Sequence, residues 1–222
     1  MNQTDNGTIQ YRDELARKLI HLCSLSIPIV YYFIPRMTAV IILGILSIFA
    51  LTLDIGRYFS PLLGKLFYQF FGFMLRKHEI DHKKKNLNGA TYVLISALLT
   101  VIVFPKVIFI NAFAVLIVSD TMAALIGRKY GSHKFLSKSR EGTLAFFVSA
   151  VIVSLITPKI DACITEYIIA IVASGVGAIV ENISFGWADD NLSIPISIGL
   201  VMWGMYYVLL PGLQLVLKHT PL

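Results

Sequence analysis

Apolar residues run in long, almost unbroken blocks along most of the chain, and polar residues collect between the blocks. A helix of roughly 17–25 predominantly apolar residues is long enough to cross a bilayer. The pattern therefore predicts an all-α, polytopic membrane bundle of about seven transmembrane helices, forming one domain over residues 1–222. The predicted spans are residues 19–35, 37–55, 89–104, 107–126, 143–157, 164–183 and 192–210.

The segment 58–75, between the second and third predicted spans, is also rich in aromatic and aliphatic residues. It contains Pro61, Gly64 and Lys65, and its uninterrupted apolar core is too short to cross the bilayer. The pattern predicts an interfacial amphipathic helix whose Phe and Leu side chains dip into the acyl chains.

Composition and charge agree with a membrane protein. Of the residues, 56% are hydrophobic and 14% are charged, with a mean hydropathy of +0.74, whereas a soluble domain carries about a quarter charged residues. Most of the 19 Lys and Arg residues precede the first predicted span, or lie between the second and third or the fourth and fifth. Because cytoplasmic loops are enriched in Lys and Arg, we expect a cytoplasmic N-terminus and an external C-terminus, with membrane lipids rather than nucleic acid as partners.

A first polar cluster opens the chain's first helix. Glu14, Arg17, Lys18 and His21 follow one another at the spacing of a single helical stripe. Charged side chains near a span also occur simply because they reach toward the interface, with Glu14 pairing Lys18. The stripe alone therefore leaves a functional and a structural interpretation open.

A second cluster surrounds Asp120, which lies inside the fourth predicted span. Asp120, Ala123 and Gly127 share one helix face, where small residues let another helix or a nucleotide approach closely. Arg128 follows at the end of the helix. Charged groups within spans are costly and usually functional, although Asp120 could also be the structural partner of one cation.

The loop after this helix contains Gly131, Lys138, Glu141 and Gly142. Glycines that let the backbone approach phosphate, together with cations, suit a triphosphate. A basic cytoplasmic loop can also be only a topology signal. The motif G-x-x-x-x-G-K-[ST] is absent from the sequence, which excludes a soluble-type P-loop.

A third cluster ends the sixth predicted span. Glu181 is followed by the turn residues Asp189, Asp190 and Asn191, and this cytoplasmic turn contains no Lys or Arg. Oxygen ligands of this kind suit Mg²⁺, which takes one or two carboxylates plus phosphate oxygens and water. The alternative is a solvated turn in which Asn191 caps the last helix.

The predicted topology brings all three clusters to the cytoplasmic face. Cations, a glycine-containing loop and a separate acidic turn are the parts that phosphoryl transfer requires, because its catalysis is chiefly positioning and charge stabilisation. A membrane-embedded body would let an amphiphile present its hydroxyl group at the interface.

Four ordered motifs resemble the polyprenol kinase family, which includes dolichol kinases, phytol kinases and CTP-dependent diacylglycerol kinases. The motifs are E-L-A-R-K-L-I-H from Glu14, D-T-x-A with the following Gly127-Arg128 and Gly131, K-S-x-E-G-T from Lys138, and Glu181 followed by D-D-N-L-S-I-P from Asp189. The resemblance covers nearly the whole chain. It implies a multi-span enzyme that moves the terminal phosphate of CTP, or a related nucleotide, onto a lipid hydroxyl.

The resemblance also implies site residues. Its basic pair falls on Arg17 and Lys18, its essential acid and glycine on Asp120 and Gly127, its nucleotide loop on Lys138, Glu141 and Gly142, and its acidic motif on Glu181, Asp189, Asp190 and Asn191. We expect Asp120 and Asp190 to hold Mg²⁺, with a carboxylate accepting the hydroxyl proton. Arg128 and Lys138 would grip the triphosphate, while Arg17 and Lys18 would hold the transferred group.

Two other functions are compatible with parts of the pattern. Phosphatidate cytidylyltransferases share the middle motif but end with a His-Gly-Gly and Asp-Arg-x-Asp segment, which this sequence lacks. A small transporter would favour mid-membrane polar groups on inverted repeats, and no repeat is visible. The acceptor stays open between an isoprenoid alcohol and diacylglycerol, and the small size favours a compact phytol-kinase-like enzyme of a prokaryotic plasma membrane.

Overall fold

The computed structural model describes residues 11–71, 87–184, 189–218 and 220–221. Its helices and strands are α1 (Tyr11–Cys23), α2 (Ser26–Phe33), α3 (Arg36–Gly56), α4 (Pro61–Phe71), α5 (Gly89–Val103), α6 (Lys106–Tyr130), β1 (Lys134–Phe135), β2 (Lys138–Ser139), α7 (Arg140–Ile156), α8 (Ile164–Ile183) and α9 (Asp190–Leu209).

The described part of the chain has four helices long and apolar enough to cross a membrane, namely α3, α6, α8 and α9. They lie where the second, fourth, sixth and seventh spans were predicted. The helix α5 is also apolar but shorter. The helical class is thus confirmed, but the count of seven spans is not and stays a prediction.

The first predicted span, residues 19–35, is divided into two helices. The break between α1 and α2 lies at Ser24 and Leu25. Pro28 explains the break, because it has no N–H to bond the carbonyl of Ser24 and its ring crowds that carbonyl. The Ser24 carbonyl accepts from the N–H of Ile27 instead, at 3.0 Å. The Glu14 to His21 stripe consequently lies on a helix of its own.

The helix α6 forms the centre of the bundle. It packs against α1, α2, α5, α7 and α9, and Phe109, Phe113, Leu116 and Ile117 are fully buried. A helix that is apolar on all sides belongs in the interior of a bundle. Asp120 lies on this buried helix and is therefore held in place from several directions.

The crossing of α6 and α7 depends on two glycines. A Cβ atom on Gly127 would lie 3.3 Å from the Cα of Gly142, and a Cβ atom on Gly142 would lie 3.1 Å from the carbonyl oxygen of Ala123. The predicted strip of small residues therefore packs against another helix, α7, at this point.

A short hairpin connects α6 to α7 and was not predicted. Its strands pair Lys134 with Ser139 and Phe135 with Lys138. At its tip Leu136 has a φ of 50°, a left-handed conformation uncommon for a non-glycine residue. The N–H groups of Ser137 and Lys138 both donate to Asn182 Oδ1, at 2.8 and 3.2 Å, which ties the hairpin to the end of α8.

The predicted amphipathic helix is present as α4, and residues 72–75 of that prediction, like the basic loop that follows, lie outside the described residues. A buried ion pair anchors this region: Arg57 contacts Asp54 at 3.0 Å and stacks over the ring of Phe67, 4.4 Å from its centre. Asp54 also accepts from the N–H of Asn88 at 2.7 Å. These contacts join the ends of α3 and α5 to α4.

Candidate active site

Asp120 is the buried centre of the site. Its Oδ2 accepts a hydrogen bond from Lys18 Nζ, and His21 Nε2 lies 3.5 Å from the same oxygen. Lys18 is 2% exposed and Asp120 is 3% exposed, so the ion pair is removed from water. The first and second predicted clusters therefore meet.

Glu14 has different partners from the Lys18 contact that sequence spacing allowed. It pairs with Arg17 one turn away on α1, and its Oε2 lies 3.2 Å from a guanidinium nitrogen of Arg128 at the end of α6. The Glu14 carboxylate is itself buried. It therefore links two elements and holds two of the predicted phosphate-binding arginines side by side.

Lys138 connects the loop cluster with the acidic cluster. Its Nζ lies 2.5 Å from Glu181 Oε1 and 3.8 Å from Asp190 Oδ2. Burial by itself would lower the pKa of Lys138, but the two carboxylates raise it above its ordinary value. The side chain therefore stays a cation at neutral pH.

The two ion-paired groups form one site. Asp120 is close enough to Lys138 for its charge to act on that ammonium group, and Asp190 acts in the same way on Lys18. Three carboxylates and two ammonium groups thus lie in one region, with Glu181 as the third acid; Lys18, Asp120 and Glu181 are buried, whereas Lys138 and Asp190 are half-buried. Within the described residues, Glu181 Oε2 is buried and has no hydrogen-bond partner.

The acidic turn divides its residues between two tasks. Asp189 is the N-cap of α9, and its Oδ1 accepts from the backbone N–H and the side-chain amide of Asn191 at 3.0 and 2.8 Å. The alternative that Asn191 caps this helix is therefore wrong. Asp190, the residue after Asp189, reaches Lys138.

Glu141 holds the loop after α6. It accepts from the hydroxyl group of Ser132 at 2.8 Å and contacts His133 Nδ1 at 2.7 Å. The hydrogen bond with His133, followed by those within the loop, lowers the pKa of Glu141 to about 2. Its described hydrogen bonds all stay within this loop, so its predicted contact with nucleotide stays a prediction.

The predicted phosphate-loop glycines converge on Ser139. Ser139 caps α7 by accepting from the N–H of Gly142 at 3.2 Å. A Cβ atom on Gly127 would lie 3.0 Å, and one on Gly131 2.8 Å, from Ser139 Oγ. Close packing around Ser139 therefore accounts for the glycines in this structure, and their contact with phosphate stays a prediction.

The acids can be tested for their fit to Mg²⁺. Across the described ranges, no three His, Cys, Asp or Glu side chains are grouped so that they could hold a metal ion. The five-residue set Asp120, Glu181, Asp189, Asp190 and Asn191 is therefore not a ready-made cage. Mg²⁺ bound with a nucleotide needs only one or two carboxylates, however. Glu181 and Asp190, which share Lys138, are the carboxylates that would fit this requirement, and the Glu181 oxygen without a hydrogen-bond partner among the described residues suits a cation.

Sequence reasoning did not include Asn182 in the site. This residue positions Lys138 through the hairpin and donates from Nδ2 to Thr143 Oγ1 at 2.6 Å. Its only signal was a polar side chain next to Glu181 at the end of an apolar helix. Glu14 and His21 were noticed as part of the stripe, but their contacts with Arg128 and Asp120 were not.

Known proteins resemble this chain over most of its length. It is 33% identical over 185 residues to an uncharacterized protein of Rickettsia prowazekii, and the aligned region is 83% of this chain and 90% of that protein. It is 26% identical over 202 residues to CTP-dependent diacylglycerol kinase 1 of Schizosaccharomyces pombe, with 83% and 90% covered. Phytol kinase of Synechocystis is 31% identical over 97 residues, 40% of each chain. No family profile and no solved structure matches.

Proposed function

We propose that this chain, which belongs to the polyprenol kinase family, transfers the terminal phosphate of CTP to the hydroxyl group of a membrane lipid alcohol. The observation that carries the proposal is the proximity of two ion-paired groups, the buried pair of Lys18 and Asp120 and the half-buried Lys138 with Glu181 and Asp190, which come from α1, α6, β2, α8 and α9. The relatives named as CTP-dependent diacylglycerol kinase and phytol kinase support both the donor and the class of acceptor.

The charges of this cluster suit the proposed reaction. In phosphoryl transfer the charge spreads over the oxygens of the moving group, and the protein acts mainly by positioning cations around it. Lys18 and Lys138 supply ammonium groups at the two sides of the cluster. Arg17 and Arg128, held by Glu14, add guanidinium groups whose planar forks match phosphate oxygens.

The proposed transfer exchanges one P–O bond for another and moves one proton to the protein. The lipid hydroxyl oxygen forms a bond to the γ-phosphorus, the bond from that phosphorus to the β–γ bridging oxygen breaks, and CDP leaves. The hydroxyl proton passes to a carboxylate of the cluster. Glu181 and Asp190, with Asp120 facing them from α6, would hold Mg²⁺. When bound, this ion neutralises charge on the phosphate oxygens.

Location supports a membrane acceptor. Asp120 lies in the last part of a helix apolar enough to cross the bilayer, and Asp190 begins another such helix. A hydroxyl group at the bilayer surface would reach the cluster while its apolar chain stays in lipid. We propose the cytoplasmic face for this site because the basic loops predict that orientation.

The test uses detergent-purified protein with CTP labelled in its γ-phosphate, Mg²⁺, and separate phytol, polyprenol and diacylglycerol substrates. Transfer of the label to one of the alcohols is the expected result and identifies the acceptor. Phosphatidate is offered in a further reaction, because a cytidylyltransferase needs a lipid phosphate, and a CDP-lipid formed from it with release of labelled pyrophosphate would assign that activity instead. No labelled lipid with any of the three alcohols would refute the proposal.

A further inference from the structure

Lys138 lies between the two carboxylates that the proposed reaction assigns to a divalent cation. We propose that its ammonium group is a removable counter-ion, which occupies the place between Glu181 and Asp190 until a metal–triphosphate complex arrives. The inference rests on the proposed function. It adds that the metal and the nucleotide bind as one unit, and that the protein without nucleotide has low affinity for the metal alone.

The contacts define the place that is shared. Lys138 Nζ contacts Glu181 Oε1 at 2.5 Å and Asp190 Oδ2 at 3.8 Å, so it uses one oxygen of each acid. Glu181 Oε2 is buried without a hydrogen-bond partner among the described residues. One positive charge thus faces two negative charges, and an acceptor oxygen is left over. A divalent ion would balance both carboxylates and use that oxygen.

Metal and ammonium exclude one another at this place. Two cations that share the same pair of carboxylates repel strongly, because a buried site screens charge poorly. A metal ion that arrives alone must therefore displace Lys138 from Glu181 without giving the ammonium group a new partner. A triphosphate supplies that partner, since its oxygens can accept the ammonium while the metal takes the acids.

The hairpin permits this exchange without unfolding. Asn182 holds the backbone N–H groups of Ser137 and Lys138, so the start of the side chain is fixed. The flexible four-carbon stem of lysine can still turn. The Lys138 side chain is 28% exposed, whereas those of Glu181 and Asp120 are almost completely buried, so the lysine borders open space into which its stem can turn.

The test measures Mn²⁺ binding to the detergent-solubilised full chain, from the electron paramagnetic resonance signal of free Mn²⁺. In the unmodified protein we expect CTP to raise Mn²⁺ affinity by a factor on the order of 10–100, the usual size of a coupling between two ligands. In Lys138→Met we expect Mn²⁺ to bind without CTP about as tightly as it otherwise does with it. The matched control is Lys134→Met, an exposed lysine on the same hairpin, which should behave like the unmodified protein.

Equal Mn²⁺ affinity of the unmodified protein and Lys138→Met in the absence of CTP would overturn the inference. Adding Glu181→Gln to Lys138→Met should abolish the gained binding, and binding that persists would place the metal elsewhere, with the same consequence. Lys138→Gln serves if the methionine variant does not fold. Lipid turnover is measured separately on the same preparation. Metal–nucleotide coupling without phosphate transfer would therefore refute the proposed function alone, and transfer without coupling would refute this inference alone.

Discussion

Variants of the ion pair between Lys18 and Asp120 should distinguish its effect on stability from its effect on catalysis. In Asp120→Asn the carboxylate is lost, and Lys18 is left without its ion-pair partner in a place where it is 2% exposed. Removing one partner of a buried ion pair costs about 3–5 kcal/mol, since the other charge is left uncompensated. The same change removes a charge that would act on the transferred phosphate, so turnover should fall at least roughly 100-fold.

The companion variants are Lys18→Met and the double variant. Because the double variant leaves no isolated charge, its loss of stability should be smaller than the sum of the two single losses by about 0.5–3 kcal/mol. Its activity should nevertheless stay as low as that of either single variant. Thermal unfolding in detergent gives the stability, and transfer of labelled phosphate to the best acceptor of the panel gives the activity.

The matched control is Asp161→Asn. Asp161 also pairs with a lysine, Lys218, at 2.8 Å, but both side chains are largely exposed, and such pairs are worth about 0–1 kcal/mol. It should change neither melting temperature nor turnover noticeably. Near-normal turnover in Asp120→Asn, or additive losses of stability in the double variant, would refute this account of the pair.

Three further substitutions test the groups around this pair. Glu14→Gln should raise KM for CTP by roughly tenfold with less effect on kcat, because two arginines lose their common partner; steady-state kinetics will show it, and Glu14→Asp should recover part of the loss. Asn182→Ala leaves two hairpin N–H groups without their acceptor, which should lower the free energy of unfolding by about 1–3 kcal/mol and also lower turnover. Faster hydrogen exchange of the Lys138 backbone amide would show that the hairpin has been released. Gly142→Leu should lower the melting temperature sharply, because even a Cβ atom would lie 3.1 Å from a backbone oxygen of α6, whereas Leu144→Ala on the exposed face of the same helix should not.

The long helices could be predicted because their signal is local. An apolar run such as that of α3 or α6 indicates a helix without knowledge of any other part of the chain. The break after α1 also has a local cause, Pro28, but the apolar run continues across it and therefore predicted a single span. The hairpin gave no signal, because strands of two residues show no periodicity and Leu136 adopts a conformation that its residue type disfavours.

The members of the site were easier to predict than their partners. Lys18 and Asp120 are 102 positions apart, so their contact depends on how α1 packs against α6. Sequence spacing offered Glu14 a nearby partner in Lys18, whereas tertiary packing gives it Arg128. A helix cap depends on the backbone at the first turn, which is why Asp189 takes the place expected for Asn191.

Stability alone is a poor explanation for the buried acids and bases. Replacing a buried ion pair by apolar residues of similar size is often neutral or stabilising, because the ion pair must overcome the cost of desolvation. The double variant Lys138→Met with Glu181→Leu should therefore melt no more than a few degrees from the unmodified protein while transferring no phosphate. Glu181→Leu alone should melt lower, since Lys138 would lose its closest partner. If the double variant is as unstable as Glu181→Leu, the ion pair supports the fold rather than the chemistry. If it is stable and inactive, a polar site inside an apolar bundle is maintained for a ligand whose charges can separate these pairs.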